Sequence, residues 1–354
     1  MRDRLGAWLA CMLGVVGAPC VAQQAQPSVL AIDSSALISD TFNEGGTRTT
    51  GVIVDAFVSA KLGRGFEVMA RPFVQQLASG EWNRQVWLAA LRFEHRGTVG
   101  LRVDAGLIPP PVGLANLTLR PHLNATVAQP SSLFLSLPAV EPRSPRLTLL
   151  GAVYPYGVSA TVSGLHWDAR AAVIDASPLR PRRVFAQQNP PAFQNVVAGG
   201  GITPLVGFRV GASVTRGGWL RAGEILGIEG TQAATVWTVE SEFTYRHTKL
   251  SAEWVRDALE LGASTRHATG WFAQGQQVLG PRWYLAGRYE RVLAQRLTMP
   301  STAGGRFTGV EETVGYRISP ELTVRAGHRA RRAFGRVGFA HDASLALVWW
   351  RRWL

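Results

Sequence analysis

Cysteine is almost absent from the 354 residues, since only Cys11 and Cys20 carry a thiol and both lie in the first 22 positions. Beyond that point a disulfide-stapled secreted domain and a zinc site built from cysteines are both excluded. Lysine is scarcer than the charge implies: Lys61 and Lys249 are the only two among 37 basic residues, against 24 acidic ones. The surplus of +13 is therefore arginine, spread singly along the chain. A nucleic-acid partner, which needs cations gathered on one face or tail, is not expected. After the first residues no run reaches the roughly 18 apolar positions of a spanning helix, and no helical period appears. A nucleophile elbow, paired metal-binding histidines and a phosphate-cradling glycine loop are missing as well. The seven histidines are scattered, so no enzyme activity, metal or cofactor is expected.

The chain opens with Arg2 and Arg4, continues apolar from Leu5 to Val16 and reaches Cys20-Val21-Ala22. That order of charge, apolar run and small residues reads as a signal peptide over 1–22, cut after Ala22. Pro19 interrupts the run too early for a retained helix and, standing directly before Cys20, argues against a lipid anchor there. Residues 23–354 show no linker or composition shift and read as one unit.

From about Ser28 onward the dominant signal is alternation. Val99, Leu101, Val103, Ala105 and Leu107 share one face of an extended segment, and Arg102 and Asp104 occupy the other. Likewise Val52, Val54, Ala56 and Val58 oppose Asp55, Ser59 and Lys61, and Trp87, Ala89, Leu91 and Phe93 oppose Arg84, Arg92 and Glu94. Sixteen such segments are expected, at 28–38, 49–62, 65–76, 83–95, 98–108, 149–163, 166–176, 194–203, 205–216, 232–246, 248–259, 265–278, 282–293, 305–318, 321–331 and 338–353. Short turns such as Gly63-Arg64 and Ser319-Pro320 alternate with longer connections, of which Pro109 to Thr148 is the longest. Two-faced strands of bilayer length, with Trp82, Trp167, Trp254, Trp271, Trp283 and Trp349 placed near strand ends, predict an all-β transmembrane antiparallel barrel. A soluble antiparallel protein shares the alternation but not that spacing of lengths and turns.

Three segments resemble a known group. Arg102-Val103-Asp104-Ala105-Gly106-Leu107-Ile108-Pro109-Pro110-Pro111-Val112-Gly113-Leu114 is similar to the lead into the constriction loop of the phosphate-selective porin O and P family. Gly270-Trp271-Phe272-Ala273-Gln274 with Pro281-Arg282-Trp283-Tyr284-Leu285-Ala286-Gly287-Arg288-Tyr289-Glu290 resembles its late hairpin, and Leu250-Ser251-Ala252-Glu253-Trp254-Val255 one of its strands. The resemblance implies a sixteen-stranded, usually trimeric diffusion channel of the Gram-negative outer membrane, narrowed by an inward-folded loop over 109–148. It implies lipid and small polar or anionic solutes as partners.

A charged face must turn to the lumen, because arginine facing lipid near the midplane costs about 2–4 kcal/mol. Arg92, Arg102, Arg209, Arg288, Arg325, Arg329 and Arg331 are thus the candidate pore-lining, anion-attracting cations, and Asn116, Arg120, His122 and Asn124 the candidate constriction residues. For most of these arginines a cross-strand acid is the expected partner. Arg325, Arg329 and Arg331 stand apart, since their own strand offers no acid beside them. Lumen acids such as Asp55, Asp104, Glu240, Glu253 and Asp257 nearly balance the cations. A passive channel for small hydrophilic solutes with weak anion preference follows. The alternatives are a structural or adhesive barrel with a blocked lumen and a barrel hydrolase.

Overall fold

The computed structural model describes residues 29–76, 80–114, 119–131, 135–138, 146–151, 154–180, 192–295 and 305–353. Alternation becomes sixteen strands: β1 (Leu30–Asn43), β2 (Arg48–Gly63), β3 (Phe66–Gln76), β4 (Trp82–His95), β5 (Gly100–Leu107), β6 (Tyr156–Ser163), β7 (Trp167–Ile174), β8 (Asn195–Leu205), β9 (Phe208–Leu220), β10 (Gln232–Tyr245), β11 (Thr248–Leu261), β12 (Ser264–Val278), β13 (Trp283–Ala294), β14 (Gly305–Arg317), β15 (Leu322–Arg332) and β16 (Ala340–Arg352). Each pairs antiparallel with the next, and β1 closes on β16 from Asp33 opposite Arg352 to Asn43 opposite Asp342. Closure leaves no strand edge unpaired, which is the condition for exposing a sheet to lipid. No helix among the described residues is long and apolar enough to cross a membrane; the strands do that.

The distribution of side chains is inside out. Ile38, Val54, Leu91, Val158, Val173, Trp237, Leu285 and Leu345 are exposed on the outer wall. Asp55, Arg71, Asp104, Glu240, Arg288, Glu311 and Asp342 are buried within. Such an exterior is stable only against acyl chains. Trp82, Trp167 and Trp283 open their strands, as expected for an interfacial girdle, but Trp254 and Trp271 face each other in mid-strand.

Three departures from simple parity matter for the interior. Pro72 has no N–H for the ladder, and the β3–β4 register slips there so that Arg71 opposes Leu88 while Pro72 opposes Val86. Trp87 is the extra residue of that bulge; it and Leu88 are both buried, so Trp87 points inward and Arg84 lies exposed, the reverse of the faces expected from alternation. Gly106 adopts φ +119°, and a Cβ there would meet the Ala89 carbonyl oxygen at 2.5 Å. The chain swings in at that point, so Leu107 and Ile108 lie at 1% and 0% exposure. Leu149, Leu150, Gly151, Tyr154 and Pro155, expected to begin a strand, also belong to the interior: Thr148 N–H donates to Leu179 O, Gly151 N–H to Pro178 O, and β6 starts only at Tyr156.

Candidate functional site: the occupied lumen

The inward segment after β5 crosses the barrel and is held by side chains from both sides of the wall. The Leu114 amide donates to Glu253 Oε2 of β11 at 3.1 Å. Just before it Gly113 has φ +74°, and an added Cβ would fall on that same carboxylate, so only glycine fits. Arg120 then turns to the opposite side, donating to Asp55 at 3.1 Å and pairing with Asp33. Asp55, fully buried, also takes a two-pronged bond from Arg71 at 2.9 and 2.8 Å, while Arg71 donates to the Tyr154 hydroxyl at 2.5 Å. The fork geometry of guanidinium suits this shared carboxylate.

Farther along, the segment docks on β13, β14 and β15. Arg288 Nη1 donates to Thr126 Oγ1 at 2.6 Å and Ala128 O at 3.0 Å, and Nη2 to Gln129 O at 3.0 Å and Glu311 at 2.5 Å. Glu311 accepts the Ala128 amide at 2.8 Å, and Glu290 accepts the Ser131 amide at 3.0 Å. Arg325 donates to the carbonyls of Pro121 and Thr126. Irregular backbone is tolerable at membrane depth because these wall groups take its hydrogen bonds. The other flank is apolar: Val112, Leu149 and Leu150 pack into one cluster with Val236, Val255, Leu259 and Phe272 from the wall.

Among the expected cations, Arg92 bonds Asp104 at 2.7 Å, Arg102 the same Asp104 at 3.3 Å, and Arg209 both Asp168 at 3.0 Å and Glu240 at 2.7 Å. Arg329 and Arg331 share Asp342 at 2.9 and 3.1 Å. The acid missing from β15 stands on β16, where reading one strand at a time does not find it. Arg325 is only 4% exposed and lies under the inward segment, not beside water. Arg120 and His122 lie in the interior, and Asn124 folds the segment on itself by donating to Thr126 O and Ala128 O. Asn116 lies outside the described residues. Arg71, Tyr154, Glu290 and Glu311, which complete the anchoring clusters around Asp55 and Arg288, carry no sequence signal beyond parity.

His122 stacks on Trp350 at 5.3 Å between ring centres. Burial, and next the Arg120 charge, hold its imidazole down at about 4, below the usual 6.5; Arg325 acts the same way and Asp33 and Asp55 oppose it. Above pH 7 the ring is neutral whether docked or released, so docking is at full strength. As pH falls from 6.5 toward 4 only the released loop takes up the proton, and docking weakens across that window. Single-channel conductance is expected to grow noisier or larger over this range, and His122→Phe, which keeps the stack, to abolish the dependence. An unchanged pH profile in the variant would refute the assignment to His122.

No family model and no curated protein matches the chain. Solved structures do. OmpF of Salmonella typhi, in complex with daunomycin, is similar at 11% identity and TM-score 0.62, covering 91% of this chain and 97% of that one. OmpT of Vibrio cholerae, an outer membrane protein in a trimer form, is similar at 11% identity and TM-score 0.59, covering 91% and 99%. OccD3 of Pseudomonas aeruginosa follows at 10% identity and TM-score 0.51, covering 92% of each. The expectation that the chain is not an enzyme does not stand. The structural neighbours include OmpT as well as porin-like barrels, and one architecture serves different chemistries, so an enzymatic barrel is compatible with this fold. The apolar exterior and the shared architecture together make the chain a closed sixteen-stranded barrel with the architecture of these outer-membrane proteins.

Proposed function

We propose that the chain is a passive diffusion channel for small hydrophilic solutes, narrowed by the loop 109–148 and weakly selective for anions. The observation that carries this reading is a polar wall made of paired charges of both signs, Arg92 with Asp104 and Arg209 with Asp168 and Glu240, in a barrel whose outside is apolar. Paired cations leave a modest field, so the preference is weak and rests on half-exposed guanidiniums such as Arg102 and Arg331. Kinship with the phosphate-selective porin O and P family and export through a signal peptide over 1–22 belong to the same reading.

The same proposal takes the protein as a homotrimer, the form in which OmpT was solved. Support comes from the outer wall, where Glu312 of β14 opposes His328 of β15 and His328 Nε2 lies 3.1 Å from His341 Nδ1. These polar groups stand where lipid would leave them unsolvated, and a second copy would cover them. The test is a planar-bilayer recording of the full chain under a salt gradient. Expected are ion currents that close in three equal steps, with a reversal potential displaced toward anions. Silent bilayers would defeat the channel and favour a barrel whose lumen is blocked.

A further inference from the structure

The interior is not filled evenly. Between residues 119–129 of the inward segment and the wall formed by β1 to β4, a cavity of about 240 Å³ remains open. Phe73 and Trp87 form one side, their rings stacked 4.0 Å apart at 21°. Leu37 and Leu119 extend the apolar surface, and the amides of Gln75 and Gln129 interrupt it. No Asp, Glu, Lys, Arg or His belongs to its described lining. The cations bonded to its lining or packed on it are committed, Arg71 to Asp55, Arg288 to Glu290 and Glu311, and Arg325 to the carbonyls of Pro121 and Thr126. The Trp87 N–H is committed to Gln85 at 2.6 Å and the Asn124 amide to two carbonyls. Gln129 Oε1, in contrast, is shielded from water with no hydrogen-bond partner among the described residues.

An ion entering such a space gives up hydration and meets no counter-charge, which is prohibitive. An uncharged solute with an apolar ring gives up little water and gains contact with the stacked rings. Gln129 lines the cavity, and a rotation of its side chain presents this unsatisfied acceptor to one O–H or N–H donor at the edge of that ring. We propose that this cavity is a binding station for uncharged, ring-bearing solutes with a hydrogen-bond donor, the chemistry of neutral phenols and aryl glycosides. The inference rests on the channel reading and names the solute class that pauses in the lumen; the paired arginines elsewhere set only the weak ionic bias.

The probe is phenyl β-glucoside, added during single-channel recording of the full chain, with glucose and phenyl phosphate as controls. Brief, concentration-dependent interruptions are expected with phenyl β-glucoside, at least about tenfold rarer with either control. Gln129→Leu should shorten each interruption about two- to tenfold, the worth of one hydrogen bond, and Trp87→Ala should abolish them. A conducting channel that treats the three solutes alike, or that phenyl phosphate blocks best, overturns the station while leaving the channel intact. If the bilayer stays silent, the channel reading fails. The station is then judged by tryptophan emission of the folded protein in detergent: a saturable response to phenyl β-glucoside weakened by Gln129→Leu supports it, and no response overturns it.

Discussion

Arg288→Ala is expected to raise single-channel conductance severalfold and to lower the temperature at which the folded barrel opens in detergent. Its guanidinium, 3% exposed, joins Glu290 and Glu311 at 2.5 Å each and holds the segment through Thr126, Ala128 and Gln129. Truncation strands two buried carboxylates together, and breaking a buried pair from one side costs about 3–5 kcal/mol. The barrel ladder itself is untouched, since the β13–β14 register runs unbroken from Trp283 to Ala294. The strain therefore falls on the docked segment, which leaves the wall and widens the passage. Arg288→Ala with Glu311→Gln should recover part of the lost stability, because one uncompensated charge is gone. Unaltered conductance in the single variant would show that the segment does not narrow the passage.

The second large effect has the opposite sign: Asp257→Asn should stabilise the protein by on the order of 2 kcal/mol. Asp257 is fully buried, and neither carboxylate oxygen has a hydrogen-bond partner among the described residues. Its same-face neighbours Val255 and Leu259 and its cross-strand partners Val236 and Ala268 all belong to the apolar cluster. The amide keeps the shape and is neutral at every pH, so it escapes the cost of burying an ionisable group without a counter-charge. Thermal unfolding in detergent, followed by the gel shift of the opened barrel, measures the gain. A lower midpoint for the amide would reveal a cation or other partner held by the carboxylate.

The lipid-facing half of the molecule was the legible half. Acyl chains impose one rule on every outward position, so Val52, Val54 and Val58 or Leu345 and Leu347 announce their faces, and strand ends agree with the turn residues to within a few positions in most cases. Inward positions obey no single rule, because part of the lumen is water and part is a packed interior. Val255 and Leu259 share parity with Glu253 and Asp257, so β11 has no purely polar face. The bulge at Pro72 reverses parity above Trp87, and Leu149-Leu150-Gly151 reads as a strand only because an apolar plug residue and a lipid-facing residue look alike in sequence. Asp342 shows the remaining gap: it neutralises Arg329 and Arg331 across a strand boundary that no linear reading spans.

The anchoring of the segment at Asp55 on β2 and at Glu253 on β11 has a mechanical meaning, since those strands lie nearly opposite each other in the ring. A hoop supported only along its circumference flattens when squeezed from the side. A spoke tied to both rims resists that flattening, so severing it would leave the hoop's own bonds intact and let its cross-section turn oval under the lateral pressure of the bilayer.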